Sequence, residues 1–411
     1  MVHSIAPKRR PRPGALMIDS DDHLAGAFAP QTPLNEDRPP TPLKKRGEGS
    51  SDTRIKSQGF TKDLISLQWV VVPSSSLRLL IIAVLLWVSW EIVLAPFLSE
   101  SLSNPFAPLL FVSHRVPTSS PDDPRYQKGY LDLVFVAFYI VFWSFIRQSI
   151  TIWGLRPLAR WYGIKKEGKL DRFGEQGYAV VYFAFTGFWG LRIMSQDPVW
   201  YYQTEYFWID YPHWDMKPEL KAYYLMQAAY WAQQLLVLVL GLEKPRKDYN
   251  ELVAHHAVTL WLVGWSYLVN LTRIGNAVYV SMDIPDTFLA FSKILNYLQF
   301  QRGKVVSFAI FLPIWTYYRH YLNIVMLWSV WTQFDLIPES SKRWSPKDGV
   351  WMVWWMKWQV FVPLFLLQLL NLWWYYHFIL KIAVNAIMDF RNATDTRSDD
   401  EDEDEAEEKE N

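Results

Sequence analysis

His255 and His256 stand side by side in an apolar run, ELVAHHAVTLWLVGWSYLVN (251–270). Asp283 and Asp286 stand three apart in the next, LTRIGNAVYVSMDIPDTFLAFSKILNYL (271–298). Each run is long enough for a membrane helix, where an ionisable side chain costs about 3 kcal/mol or more and by default marks a functional site. Histidine can serve as general base or as nucleophile near neutral pH, and a carboxylate beside it can orient the ring and balance its charge. The four residues therefore point to histidine-centred catalysis.

Each helical residue turns ~100°, so two adjacent histidines cannot face the same place. The line through His255 continues to Thr259, Leu262 and Ser266, and its small hydroxyl residues suit a cavity wall. The line through His256 continues to Leu260, Val263 and Tyr267, which suit packing. On the second run Tyr279, Asp283, Asp286, Ala290, Lys293 and Tyr297 share one broad face by the three-four-seven spacing of helical stripes. With Thr272 to Gly275 as the link between antiparallel helices, His255 lies ~24 Å up one and Asp286 ~16 Å up the other. Tilt and side-chain reach can close that difference, so a His–Asp pair is feasible.

Two blander readings compete. An intramembrane histidine can be a satisfied packing residue, but four ionisable groups on adjacent helices would each need separate compensation. Imidazole and carboxylate can also ligate a metal. Membrane di-iron oxygenases need many clustered histidines, whereas this chain has His 8. Of these, His255, His256, His320 and His377 fall in apolar segments, and one pair is adjacent. No metal is expected. The absence of cysteine removes disulfides, thiolate catalysis and palmitoylation.

The remaining chain must position these groups. At 51% hydrophobic and 17% aromatic it is greasier than ordinary soluble domains. Trp and Tyr are the residues of interfacial belts. A mean hydropathy near zero misleads, because polar termini dilute an apolar middle. Against the ~20 residues that a helix needs to cross a bilayer, about eight segments qualify. They lie near 77–98, 130–150, 178–197, 221–241, 252–271, 276–300, 304–332 and 351–385, the sixth being the least apolar. The expected fold is an all-α polytopic membrane protein with about eight transmembrane helices.

Residues 1–60 form a basic leader rich in Pro and Ser, without the apolar segment of a signal peptide. Residues 61–169 hold the first membrane helices and a lumenal loop. The family resemblance given below makes residues 170–388 the catalytic domain, and 389–411 form an acidic tail expected to stay solvated. Ser398, followed by Asp399, Asp400 and Glu401, suits an acidophilic kinase. Asn270-Leu-Thr272 and Asn392-Ala-Thr394 match the glycosylation pattern, but a membrane edge and a cytosolic tail are poor places for its use.

The segments YLMQAAYW (224–231), RKD (246–248), HHAVT (255–259), SY (266–267), MDIPD (282–286) and LNYL (295–298) together resemble ceramide synthases. The shared unit is the longevity-assurance motif within a TLC-type membrane domain. The likeness spans about 170 to 388, with no departure at its polar positions. The homeobox-like segment of many animal members is missing, and the termini look fungal. The resemblance implies N-acylation of a sphingoid base by fatty acyl-CoA in the endoplasmic reticulum. It makes His255, His256, Asp283 and Asp286 the catalytic set, without a cofactor beyond acyl-CoA as co-substrate. It further implies a ring of six or more helices around an acyl tunnel, similar to fatty-acid elongases. Expected partners are acyl-CoA, a sphingoid base and the bilayer, with a homo- or heterodimer and a small single-span subunit as further candidates and no nucleic acid.

Thr259, Ser266, Tyr279, Lys293 and Tyr297 are then the substrate-binding candidates within the helices. CoA is polar and cytosolic, so its thioester must enter where the histidines begin. Lys244, Arg246 and Lys247 stand at that mouth, either to hold phosphates or only as topology charges. Two rival readings remain. One is a non-enzymatic TLC protein that senses lipid or serves the translocon. The other is a lipid transporter, for which no broken helices or inverted repeats speak.

Basic loops alternate along the chain: Lys8 to Arg10 and Lys44 to Arg46, then Arg156 to Arg172, then Lys244 to Lys247, then Arg302 and Lys304. The loop at 198–220 is instead aromatic and acidic, while the one with Lys342, Arg343 and Lys347 fits the alternation least well. An even span count with this pattern places both termini in the cytosol. Protease added to sealed microsomes is expected to remove an epitope tag at either end. Protection of the C-terminal tag would show that one segment does not cross.

Overall fold

The computed structural model of the protein describes residues 57, 59–98, 102–240 and 249–376. The basic leader, Lys244, Arg246, Lys247, His377, Ser398, Asn392 and the acidic tail lie outside the described residues. After a short helix at Phe60–Ile65, long helical rods succeed one another and no β-strand occurs among the described residues. They are α1 (Pro73–Phe97), α2 (Leu131–Trp161), α3 (Glu167–Ser195), α4 (Pro218–Val239), α5 (Tyr249–Leu268) and α6 (Thr272–Tyr297). Three consecutive pieces, Gln301–Trp315, Thr316–Leu322 and Asn323–Thr332, make α7, and Met356–Trp374 is α8. Each of the eight segments expected from the sequence overlaps one rod, with ends shifted by several residues and, in α2 and α3, by about three turns.

Local chemistry explains several boundaries. Pro73 and Pro218 occupy the first turns of α1 and α4, where the missing N–H costs nothing. Three stretches widen to π-helix: Trp90–Leu94 in α1, Ile150–Leu155 in α2 and Thr316–Leu322 in α7. Such stretches re-aim side chains and recur at functional sites. The third carries Arg319 and His320.

By length and composition, two described rods are apolar enough to cross a membrane, α1 and α2. The later rods are diluted by Tyr, Trp, Gln and charged residues. Many of these are buried, including Tyr182, Gln227, Asp283 and Arg319. A polar interior lowers the hydropathy of the very helices that hold the candidate chemistry.

The hairpin between α5 and α6 is tighter than expected, and it falls elsewhere. Asn270 adopts a left-handed conformation just past the end of α5, which Asn tolerates better than most residues. Its side chain donates to the Gly349 carbonyl at 2.8 Å. Helix α6 has already begun at Thr272, so the expected link of Thr272 to Gly275 is in fact its first turn. From the observed ends, His255 and Asp286 both lie ~20 Å from the hairpin. The expected offset in depth disappears.

The connection from α3 to α4 packs over this hairpin end. Phe207, Trp208 and Tyr211 are buried in one cluster with Val269, Leu271, Val330 and Phe334. Trp208 donates from its indole to Ser329 at 2.7 Å, and the Tyr211 hydroxyl donates to the Val269 carbonyl at 2.7 Å. The described residues up to Trp373 belong to one compact unit.

At the same end, Lys221 of α4 meets Asp132 of α2 at 2.7 Å, both side chains buried. The ammonium also donates to the carbonyls of Ser113 (2.8 Å) and Gln127 (2.5 Å). Asp132 accepts from the Tyr267 hydroxyl and the Gly129 N–H, each at 2.8 Å. Removing one partner strands the other charge, at about 3–5 kcal/mol for a buried pair. Lys221→Met is therefore expected to lower the thermal unfolding midpoint in detergent, and Lys221→Met with Asp132→Asn to recover much of the loss. Equal midpoints for the wild type and the single variant would show that the pair is not what joins α2 to α4.

Candidate active site

A narrow cavity runs between α5, α6 and α8. From α5 it is lined by His255, Thr259, Leu262, Val263 and Ser266, and from α6 by Ile274, Gly275, Val278, Tyr279, Met282 and Asp283. Gln359, Val360, Leu364 and Leu367 close it from α8, and Tyr224 and Trp231 from α4. The walls are almost wholly apolar apart from these few polar groups. The line predicted through His255 is thus a cavity wall. Of the second line, Val263 reaches the cavity as well, while His256 packs away from it.

His255 is completely buried at the head of the cavity. Its Nε2 lies 3.2 Å from the Thr259 hydroxyl, one helical turn on. His256 donates from Nδ1 to the Leu252 carbonyl at 2.8 Å, which fixes its tautomer and leaves Nε2 without the proton when the ring is neutral. Trp231 stands edge-on to both rings, with centroids 6.1 and 5.9 Å away. It spaces the imidazoles and holds their orientation.

The two aspartates have different surroundings. Asp283 faces the cavity and accepts from the Gln227 amide at 2.7 Å. Gln227 in turn accepts from the Tyr182 hydroxyl at 2.7 Å and donates to the Tyr223 hydroxyl at 3.1 Å. A neutral network therefore positions this carboxylate from α3 and α4. Asp286, one turn further, is paired with Arg319 at 2.6 Å, both side chains buried. Arg319 also donates to the Met282 carbonyl and to Asn371, each at 3.1 Å, and lies over the Trp315 ring at 4.1 Å. Its charge acts on His255 as well.

Among the other residues marked by the sequence, Thr259, Ser266 and Tyr279 line the cavity. Among the described residues, the buried Tyr279 hydroxyl has no hydrogen-bond partner, so it can receive a polar group of a bound molecule. Lys293 stands beyond the cavity and exerts its charge on Asp286. Tyr297 packs with Ala159, Leu170 and Phe173 and is not part of the wall. The expected partner of Asp286 was a histidine; the structure supplies Arg319. Gln227, within a segment already marked, was also missed as the residue that holds Asp283.

Among the described residues no cluster of His, Asp and Glu has the geometry of a metal site. What the arrangement offers is an imidazole and a carboxylate facing one apolar channel, with a second carboxylate neutralised beside them.

Residues 172–380 match the TLC domain family. The chain belongs to the TLC domain family. Among relatives of this TLC-domain chain is sphingosine N-acyltransferase lac1 of Schizosaccharomyces pombe, 41% identical over 300 residues. That match covers 73% of this chain and 76% of the relative. Ceramide synthase LAG1 of Saccharomyces cerevisiae is 39% identical over 308 residues, covering 75% and 73%. Ceramide synthase LOH1 of Arabidopsis thaliana is 27% identical over 294 residues, covering 66% and 92%. The cavity, with His255, Asp283 and Asp286–Arg319, lies within the TLC domain.

The arginine gives a direct test. Arg319→Met leaves the buried Asp286 without its paired guanidinium, at about 3–5 kcal/mol. The variant is expected to unfold at a clearly lower temperature in detergent, and adding Asp286→Asn should restore most of the midpoint. If the double variant is no more stable than the single one, the pair is not the reason for the loss.

Proposed function

We propose that the protein is a ceramide synthase, which transfers a fatty acyl group from acyl-CoA to the amine of a sphingoid base and releases CoA. The observation that carries this reading is the His255 imidazole at the head of an apolar cavity, with the Asp283 carboxylate on the same wall. The named relatives support it. A non-enzymatic TLC protein would have no use for an imidazole and a carboxylate in one channel. A thioester is already an activated donor, so the reaction calls for no metal and no cofactor beyond acyl-CoA.

The chemistry follows from the placement of the groups. Neutral His255 attacks the thioester carbonyl carbon, the C–S bond breaks, and CoA leaves as a thiol after taking up one proton. The acyl-imidazole formed keeps its hydrocarbon tail in the cavity. The sphingoid amine enters in the space that CoA has vacated, gives up a proton and attacks the acyl carbon. The C–N bond to His255 then breaks and the amide leaves. Asp283 holds the incoming ammonium and accepts its proton, while Asp286, clamped by Arg319, fixes the field around the ring. His256 and Trp231 hold the imidazole in place. Thr259, Ser266 and Tyr279 complete the lining as substrate contacts, and Lys293 adds positive charge near Asp286.

The segment joining α4 to α5 carries Lys244, Arg246 and Lys247 and enters the helix on which His255 stands within two turns. In this reading those residues bind the CoA phosphates on the cytosolic face. The same reading places the protein in the endoplasmic reticulum membrane, with eight spans, both termini cytosolic, and α3 to α8 as the TLC ring around the tunnel. A dimer with itself or a paralogue and a small single-span subunit belong to it by resemblance.

Purified protein given palmitoyl-CoA and a labelled sphingoid base is expected to form labelled amide and free CoA. No amide from any acyl-CoA would reject the enzyme. His255→Ala should abolish turnover in a folded protein, and Asp283→Asn, which removes the acceptor of the ammonium proton, should cost about two to four orders of magnitude. Intact-protein mass spectrometry after acyl-CoA alone should show one acyl adduct on His255. If CoA is released only after the amine has bound and no adduct forms, His255 acts instead as a general base.

A further inference from the structure

We propose that a polar cavity at the hairpin end of the bundle binds a phosphoethanolamine group, the headgroup chemistry of an ethanolamine phospholipid. The cavity measures about 220 Å³, far more than one water needs, and among the described residues it shares no lining residue with the apolar channel. It lies between the end of α3, the connection from α3 to α4, and the first residues of α4 and α6.

One part of the wall is built for an anion. The N-termini of α4 and α6 both meet the cavity, through Lys217 and Glu219 on the one and Thr272 and Arg273 on the other. Neither helix has a side chain capping its first N–H groups. Uncapped N-termini beside cationic side chains favour a phosphate. A second observation points to a ligand. Thr272 is 2% exposed, and its buried hydroxyl has no hydrogen-bond partner among the described residues. Such a group is costly to leave unpaired. Lys217 has no ion pair among the described residues and reaches only the Gln196 carbonyl, at 3.4 Å. Arg273 is held through Nε by Asp197 at 3.1 Å and through Nη1 by the Tyr206 carbonyl at 3.0 Å. Burial, and then the charge of Arg273, push the His213 imidazole beside them down to about 4, so it stays neutral.

The rim has the opposite sign. Asp210 and Asp215 line it and are exposed. Asp210 has no ion pair among the described residues, and Arg125 sits on Asp123 at 2.6 Å, with Asp215 at 3.9 Å. The other two carboxylates are taken, Asp197 by Arg273 and Glu219 by Arg192 at 2.9 Å. A simple anion would be repelled at this rim, whereas an ammonium joined to a phosphate answers both signs at once. Among the described residues no Trp, Tyr or Phe lines the cavity, so it lacks the aromatic faces that recognise a quaternary ammonium. Ethanolamine is therefore favoured over choline. Ile193, Met216 and Leu220 give the cavity an apolar side for the glycerol. Trp200 and Tyr201, both exposed shortly after Asp197, suit the interfacial belt where headgroups stand.

The test is binding by the purified full-length protein in detergent. Its unfolding midpoint is followed in titrations with glycerophosphoethanolamine, glycerophosphocholine and inorganic phosphate. Glycerophosphoethanolamine is expected to raise the midpoint by about 2–4 °C near saturation. The other two should bind about tenfold more weakly or worse. Lys217→Gln and Thr272→Val should each weaken the ethanolamine head about tenfold, and Asp210→Asn should bring the ethanolamine and choline heads to equal affinity. Native mass spectrometry with equal amounts of the two phospholipids tells the source. Retained ethanolamine lipid identifies a membrane ligand, and binding of the soluble headgroup alone identifies a free one. Equal affinity of the wild type for the choline head or for phosphate overturns the zwitterion. No shift with any probe and no retained lipid, or a shift unchanged in both Lys217→Gln and Thr272→Val, overturns the site. If Thr272→Val does not fold, Lys217→Gln decides alone. The readout is binding, so failure here leaves the acyltransferase reading untouched.

Discussion

A guanidinium and a carboxylate buried side by side in an apolar helix bundle govern the architecture around the head of the cavity. Arg319 is fully buried, and a lone charge there would be costly enough to unfold the region. The fold answers with several partners at once: Asp286, the Met282 carbonyl, Asn371 and the face of Trp315. These partners come from α6, α7 and α8. The helices that flank the cavity head are therefore joined at one point by charge compensation, and apolar packing supplies the rest. The π-helical stretch at Thr316–Leu322 fits this picture, because widening the helix re-aims the side chains it carries. His320, one residue on, receives a hydrogen bond from Gln368 at 3.0 Å. Gln368 accepts from Asn323 at 2.7 Å, so α7 and α8 remain joined below the arginine.

The two ends of the cavity have separate polar systems. At the head stand the histidines, the aspartates and Arg319. At the hairpin end Lys221, Asp132 and Tyr267 tie α2, α4 and α5 together. Between them the walls are Leu, Val, Ile and Met, which neither attract water nor compete for a hydrogen bond. Separation of this kind suits a substrate with one reactive polar end and a long inert tail. It also explains why strict hydropathy recognises α1 and α2 but not the rods behind them. A helix that must carry Gln227, Asp283 or Arg319 to a shared interior cannot also score as continuous hydrocarbon.

How much of this could be read from the sequence depends on how local each feature is. The existence of the rods was legible, because long apolar runs bounded by polar loops have few other solutions. The cavity-facing line through His255 followed from helical periodicity alone. The hairpin was misplaced by several residues. A left-handed Asn270 leaves a polar Thr-Arg pair looking like a turn, although Thr272 already begins the helix. Arg319 was passed over although it stands within an apolar run, and the rule that singled out the four central residues applies to it equally. Gln227 could not have been assigned to Asp283, since only packing of α4 against α6 brings them together. Tyr297 satisfied the stripe but not the site, because a stripe runs the length of a helix and the cavity occupies only part of it.

The two aspartates illustrate why spacing cannot assign roles. Three residues apart on one helix, they share a face and would repel each other if both stayed charged without compensation. The structure pairs Asp286 with the Arg319 guanidinium, whereas the Asp283 carboxylate accepts from neutral donors, the Gln227 amide and the Thr186 hydroxyl. Asp286 is thus held in an ion pair, whereas Asp283 faces the cavity. A sphingoid base arrives as an ammonium ion, and an apolar channel would exclude it unless an opposite charge met it there. In the proposed mechanism Asp283 meets it, on the wall that His255 also faces. In that mechanism, acyl donor and amine thus meet groups of opposite function in one channel, a neutral imidazole for the one and a carboxylate for the other.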